Sequence, residues 1–404
     1  MRDRHDQQPL RHRTTLGNWR QAPYNAWAFH NVQRLLPTAP VRAATRPWPL
    51  PRRMRSLDRI PITTRTAGTE PLGQALRSMH TDAFIVLHRG CILEERYFNG
   101  MQPDSPHILM SVSKSLTAAV AGVLIDDGRL DPHRSIGSII PALEASGYAN
   151  ARLQDLLDMR LDLDFEEDYQ ASEGPMIHYR VAGGWNPDPT PADPGRSPAG
   201  LHAFIAGLRQ SGAHGGIFKY TSPNTDLLGW LLEQVGGASF SALLETHIWQ
   251  PMGAEHAALV TLDRVGAART AGGINVSLRD LARIGQMMLN NGLANERQVL
   301  PSWWVDDTRH AGDADAWRAG KFAQLLPEGR YRNQWYQYGN EREAVCGIGI
   351  HGQILYLAPG ADVVIAHLGS HPQPFDEAHI VRLLDGMDSL AATIVDGGAG
   401  VPAP

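Results

Sequence analysis

Strand-forming runs stand near both ends of this 404-residue chain, and helix-forming runs fill the stretch between them. Near the start, residues 82–88 (Asp-Ala-Phe-Ile-Val-Leu-His) read as a buried strand. Arg89-Gly90 reads as a turn and residues 91–98 as the returning strand of a hairpin. Near the end, residues 347–350, 354–357 and 363–368 again have strand composition, and 376–392 reads as a closing helix. Helical segments are expected at 152–158, 199–211, 223–235, 239–247, 277–292 and 301–309, with Pro/Gly-rich loops between them, notably 183–200. A chain patterned in this way predicts an α/β domain whose sheet draws on both termini, with a mainly helical domain inserted. The expected boundaries are 61–130 plus 345–395 for the α/β domain and 131–344 for the insert. Residues 396–404 form a Gly/Ala/Pro-rich tail expected to fray. Residues 1–60, rich in proline and arginine and holding Trp19, Trp27 and Trp48, read as an irregular arm pinned to the core by its aromatics; a binding arm is the sharper alternative.

One stretch concentrates chemistry. In the run His107 to Thr117, Ser111 and Lys114 are three apart at the mouth of a segment rich in helix formers and apolar residues, which Gly128 ends. Residues three apart share a helix face, so the amine can reach the hydroxyl. A serine needs a base to become a nucleophile, and a lysine serves if burial lowers its pKa. Composition sharpens the point: of 37 basic residues only Lys114, Lys219 and Lys321 are lysines. Arginine stays protonated, so a chain this arginine-biased keeps lysine where arginine would not serve. Ser111 at a helix N-terminus would also sit among outward N–H groups that favour developing negative charge.

Three further stretches bear on the site. Residues 218–226 place Tyr220 just before an apolar helix; a tyrosine beside a Ser–Lys pair could shuttle a proton. The same residues also make an ordinary helix start, with Thr221 or Ser222 as cap and Pro223 in the first turn. Residues 347–354 (Gly-Ile-Gly-Ile-His-Gly-Gln-Ile) read as a strand whose glycines permit close approach of another backbone or a ligand, or as a core strand with a satisfied histidine. Residues 162–169 resemble a calcium loop, but Glu167 occupies the sixth place, where glycine is needed, so a solvated acidic loop is expected. His367 and His371 lack a third ligand, and no metal site is expected.

Together Ser111-Val-Ser-Lys114, Tyr220-Thr-Ser222 and His351-Gly-Gln353, in this order, resemble the three motifs of the serine β-lactamase and penicillin-binding-protein superfamily, best its class C-like hydrolase and esterase branch. That resemblance implies an antiparallel sheet flanked by helices and a cofactor-free acyl-enzyme mechanism. It implies Ser111 as nucleophile, Lys114 as base and Tyr220 as proton relay. The N–H groups of Ser111 and Ile354 would form the oxyanion hole, and Tyr169 would close over substrate and assist the leaving amine. Asn275, His351 and Ser222 would contact substrate. The expected partner is a small amide or ester, with linear ω-amino-acid amides favoured; a homodimer is compatible with the resemblance. Two departures stand out: Ser222 replaces the asparagine of much of the superfamily, and His-Gly-Gln replaces Lys-Thr-Gly. The second weakens the positive charge that grips a penicillin carboxylate.

Whole-chain properties exclude other classes. The formal net charge of −5 gives no reason to expect nucleic-acid binding. No apolar run approaches a membrane span, and no export signal is visible. With two cysteines in no framework, Cys91 and Cys346, a cytoplasmic location is expected. Short-chain esterase or β-lactamase-like activity, acyl transfer, and a non-catalytic penicillin-binding-like sensor are the alternatives.

Overall fold

The computed structural model describes residues 9–188 and 200–396. The strands that carry the argument are β1 (Thr38–Val41), β2 (Thr81–His88), β3 (Cys91–Tyr97), β4 (His107–Ile108), β5 (Ala258–Thr261), β6 (Ile274–Val276), β7 (Arg330–Arg332), β8 (Trp335–Gln337), β9 (Val345–Gly349), β10 (Gln353–Ala358) and β11 (Val363–Gly369). The helices are α1 (Ser113–Asp126), α2 (Pro175–Ala182), α3 (Ser222–Gly236), α4 (Leu278–Leu289) and α5 (Glu377–Asp396). A seven-stranded antiparallel sheet has the order β7-β8-β9-β10-β11-β2-β3, and a four-stranded sheet has the order β1-β5-β6-β4.

The large sheet does join the two ends of the chain: β11 pairs with β2 from Val363 opposite His88 to Gly369 opposite Thr81. The β2–β3 hairpin turns at Arg89 and Gly90, both with positive φ, as a tight two-residue hairpin turn requires. Alternation along β2 separates two cores. Ile85 and Leu87 face one side with Leu355, Leu357 and Val364, against α1 and α4. Phe84 and Val86 face the other with Ile354, Tyr356 and Ile365, against α5. Each fully buried Leu, Ile or Phe contributes about 1.5–3 kcal/mol, so a one-residue register slip would reverse a large term.

Three expectations need correction. The C-terminal share of the sheet begins at residue 330 rather than 345, because β7 and β8 continue it by pairing Tyr336 with Cys346. Helix α4 falls within the expected insert but packs on the sheet: a Cβ at Gly285 would lie 2.5 Å from Val364. The arm is not wholly irregular, since β1 forms the edge of the smaller sheet, Thr38 pairing with Thr261. Of its tryptophans, Trp19 is fully buried and its Nε1 donates to the Trp185 carbonyl at 3.1 Å, while Trp27 and Trp48 are half-buried. The tail beyond residue 396 lies outside the described residues.

Candidate active site

Ser111 sits in a single 3₁₀ turn, Met110–Val112, which runs directly into α1. The turn is pressed against β9. Added Cβ atoms would lie 3.1 Å from Ser115 Oγ at Gly347 and 2.7 Å from the Leu109 carbonyl at Gly349, so the two glycines allow the strand to approach. Met110, immediately before the serine, has φ +46°, a strained value for a non-glycine residue and one that functional sites tend to hold.

Lys114 is 1% exposed. Its Nζ lies 2.9 Å from Ser111 Oγ, 3.0 Å from Ser222 Oγ and 2.8 Å from the Ala271 carbonyl. Burial lowers its pKa to about 8, against the opposing pull of Glu167 and Asp226. The Ala271 carbonyl is itself fixed. Asp226 accepts from the Ala271 N–H at 2.8 Å and from the Tyr179 hydroxyl, and it pairs with buried Arg269.

Tyr220 enters just before α3, and its ring face stands 4.9 Å from Lys114 Nζ. Its side chain also engages those of Ser111 and Tyr336, while burial and nearby Glu167 push the phenol pKa well above its ordinary value. Ser222 opens α3 and does more than start a helix. Its Oγ donates to Glu167 Oε1 at 2.5 Å, and its backbone N–H donates to Glu167 Oε2. The Tyr169 hydroxyl adds a third bond to Glu167, at 2.6 Å. The acidic segment is thus not a solvated loop at Glu167: that carboxylate folds into the site and receives three donors. The sequence reading missed it; the one available signal was its place two residues before Tyr169.

These contacts set proton directions. A carboxylate and a carbonyl only accept. Ser222 gives its proton to Glu167, so it must accept from Lys114, and Ala271 O must accept too. A neutral Lys114 then has both N–H bonds committed and its lone pair left for Ser111. The arrangement is able to take the Ser111 proton.

Three expected residues fall elsewhere. Ile354 lies inside β10, opposite Ile348 on β9 and His367 on β11, with its side chain in the α5-side core. It does not line the cavities at Ser111, whereas Ile350 does, because the chain turns at 350–352. Among the described residues the N–H groups of Ser111 and Ile350 both lack an acceptor. Asn275 is buried in β6, its Nδ2 donating to Gly273 O at 2.8 Å, and it lines no cavity at Ser111. His351 is buried behind the turn, its Nδ1 2.7 Å from the His371 carbonyl and its ring 5.0 Å from Phe29. Burial drops its pKa to about 3, so it carries no charge at neutral pH.

Three cavities meet at half-buried Tyr169. The largest, about 740 Å³, is walled by Phe218, Tyr220, Phe322 and Phe375 and does not reach Ser111. Two small ones do: an apolar slot of about 20 Å³ with Tyr220 and Ile348, and a space of about 30 Å³ with Arg20, Arg180 and Arg269. The Tyr169 ring stacks on Phe375 at 6.2 Å and lines all three cavities.

A buried Ser–Lys pair with an adjacent tyrosine, between an antiparallel sheet and a helical region, defines a site of serine-hydrolase type. The family profile described as Beta-lactamase matches residues 72–385, and the chain belongs to that family. It is 39% identical over 376 residues, 92% of each chain, to a 6-aminohexanoate-dimer hydrolase of Paenarthrobacter ureafaciens. A solved structure of a proposed 6-aminohexanoate-dimer hydrolase from Bacillus anthracis superposes with TM-score 0.87 at 28% identity, covering 96% of this chain and 98% of that one. A proposed β-lactamase from Bacteroides dorei shares the fold, with TM-score 0.59 at 18% identity over 80% of this chain and 96% of that one. The chain is a serine hydrolase of the β-lactamase family, similar to 6-aminohexanoate-dimer hydrolase.

Proposed function

We propose that the chain hydrolyses amide or ester bonds of small linear substrates through an acyl-enzyme on Ser111. The observation that carries this reading is the bonding of Lys114: buried, lowered to about 8, and oriented by two fixed acceptors toward Ser111 Oγ. Magnitudes choose between Lys114 and Tyr220 as base. Lys114 is partly neutral near pH 8, whereas the Tyr220 phenol is pushed far from ionising. Lys114 is therefore the base, and Tyr220 hands on a proton as an acid.

In the forward half-reaction Ser111 Oγ attacks the carbonyl carbon and its proton passes to Lys114. The oxyanion is held by the N–H groups of Ser111 and Ile350, neither of which has an acceptor among the described residues. Collapse breaks the C–N or C–O bond, Tyr220 protonates the leaving group, and Lys114 returns a proton to Tyr220. Water then repeats the sequence on the acyl-enzyme. Tyr169, which lines both cavities at Ser111 and bonds to Glu167, closes over substrate and supports the departing amine. Among linear amides, 6-aminohexanoate oligomers are the first to test, supported by the 39% identity over most of the chain.

The experiment is turnover by the protein and its Ser111→Ala variant on p-nitrophenyl butyrate, a linear 6-aminohexanoate dimer and a chromogenic cephalosporin. Hydrolysis of ester or linear amide that vanishes in the variant supports the reading. Turnover confined to the cephalosporin would replace it with a β-lactamase.

A further inference from the structure

The space of about 30 Å³ beside Ser111 has an unusual wall. Arg20, Arg180 and Arg269 all line it, together with Trp185 and Met176. Three guanidinium groups around one small space repel one another unless something answers them. Arg269 is answered by Asp226. The other two form no ion pair among the described residues: Arg20 donates to the Asn186 side-chain oxygen and Arg180 to the Tyr169 carbonyl at 2.9 Å. The Nε groups of Arg20 and Arg269 are buried and have no acceptor. Burial and repulsion from Arg180 and Arg269 bring Arg20 down to about 9, still protonated at neutral pH. Glu167 also borders the space, but its oxygens are taken by Ser222 and Tyr169.

A buried donor without an acceptor carries a desolvation penalty of about 1–3 kcal/mol, more for a charged group. An anion in this space would supply the missing acceptors and relieve the repulsion together. A space of this size holds a carboxylate group. The side of the scissile bond also follows. Tyr220, which protonates the leaving group, lines the apolar slot and the large cavity but not the arginine space. The leaving group therefore lies toward Tyr220, and the arginine space lies on the acyl side.

From Arg20, Arg180 and Arg269 around one space beside Ser111, we infer that the chain prefers substrates whose acyl part ends in a carboxylate: half-amides or half-esters of dicarboxylic acids. Hydrolysis adds water across the scissile bond and yields a dicarboxylate plus the amine or alcohol. The N-terminal arm gains a role, since it supplies Arg20. The inference rests on the serine-hydrolase reading, and it ranks a carboxy-terminated acyl chain above an amino-terminated one of equal length.

The test compares kcat/KM for three p-nitrophenyl esters of equal acyl length: the adipate half-ester, the hexanoate and the 6-aminohexanoate. The expected order is carboxylate, then methyl, then ammonium, with about tenfold or more between first and last and a gap that narrows at high salt. Arg20→Gln and Arg180→Gln should each shrink the carboxylate-to-ammonium ratio, while Arg20→Lys keeps part of it. A measurement on the unaltered protein covers variants that do not fold: adipate should inhibit competitively and hexane-1,6-diamine should not. Hydrolysis of all three esters without preference for the carboxylate, or inhibition by the diamine alone, would overturn the inference and leave the serine hydrolase standing. No Ser111-dependent hydrolysis of any ester would remove both.

Discussion

The Ser111–Lys114 turn and the acidic segment at 162–169 are both parts of one site, yet they are built in opposite ways. The turn is local: two residues three apart on one helical face, with Lys114 almost wholly buried in the core. The acidic segment is assembled at a distance. Glu167 matters only because Ser222, 55 residues on, turns its N–H and hydroxyl toward it. The turn holds the reactive atoms, and the distant carboxylate orients their protons. Proximity alone would leave the Lys114 lone pair free to point anywhere.

Several substitutions can break or sharpen that contrast. The largest effect belongs to Lys114→Arg, which keeps the charge and removes the base: kcat/KM should fall by about 10³-fold or more, read alongside a thermal melt that reports folding. Retained turnover would remove lysine as base. Next comes Glu167→Gln. It should lower kcat by roughly 10–100-fold through loss of proton orientation. It also has a signature that packing alone would not give. In the unaltered protein activity should rise with pH through about 8 as Lys114 loses its proton. Glu167 favours the charged amine, so removing its charge lowers the Lys114 pKa and moves the rising limb to lower pH. An unmoved limb would mean that Glu167 acts on structure only.

Smaller effects lie further out. Tyr169→Phe should reduce amide turnover by about tenfold and ester turnover less, because amines are the poorer leaving groups. Equal losses on paired substrates would contradict a role in departure. His351→Gln should barely change kcat, since the ring ties the 350–352 turn to the His371 carbonyl and to Phe29 behind the cavity. Its melt should instead show destabilisation of about 1–3 kcal/mol for the lost buried bond.

The same contrast explains what the sequence makes legible. Ser111, Lys114, Tyr220 and Ser222 were readable because helical spacing and helix-start chemistry are local. The β2–β3 hairpin and the strands after residue 345 were readable from alternation and turn residues. Glu167 was not, because its place two residues before Tyr169 does not by itself tell an inward carboxylate from a solvated one. Ile354 was misplaced for a geometric reason. The donor next to Ser111 depends on where the β9–β10 hairpin turns, and the turn at 350–352 leaves Ile350 at the cavity and carries Ile354 into the ladder. Strands β7 and β8, three residues each, are too short to show alternation. The arginine space was invisible for the reason Glu167 was: its three cations come from positions 20, 180 and 269.

The most direct measurement of the central claim is intact-protein mass spectrometry of the enzyme quenched during turnover of a slow ester, followed by peptide mapping. The account predicts a mass increase equal to the acyl group, located on Ser111, which decays as product forms and is absent from Ser111→Ala. Undiminished turnover by Ser111→Ala, or an adduct on another residue, would contradict it.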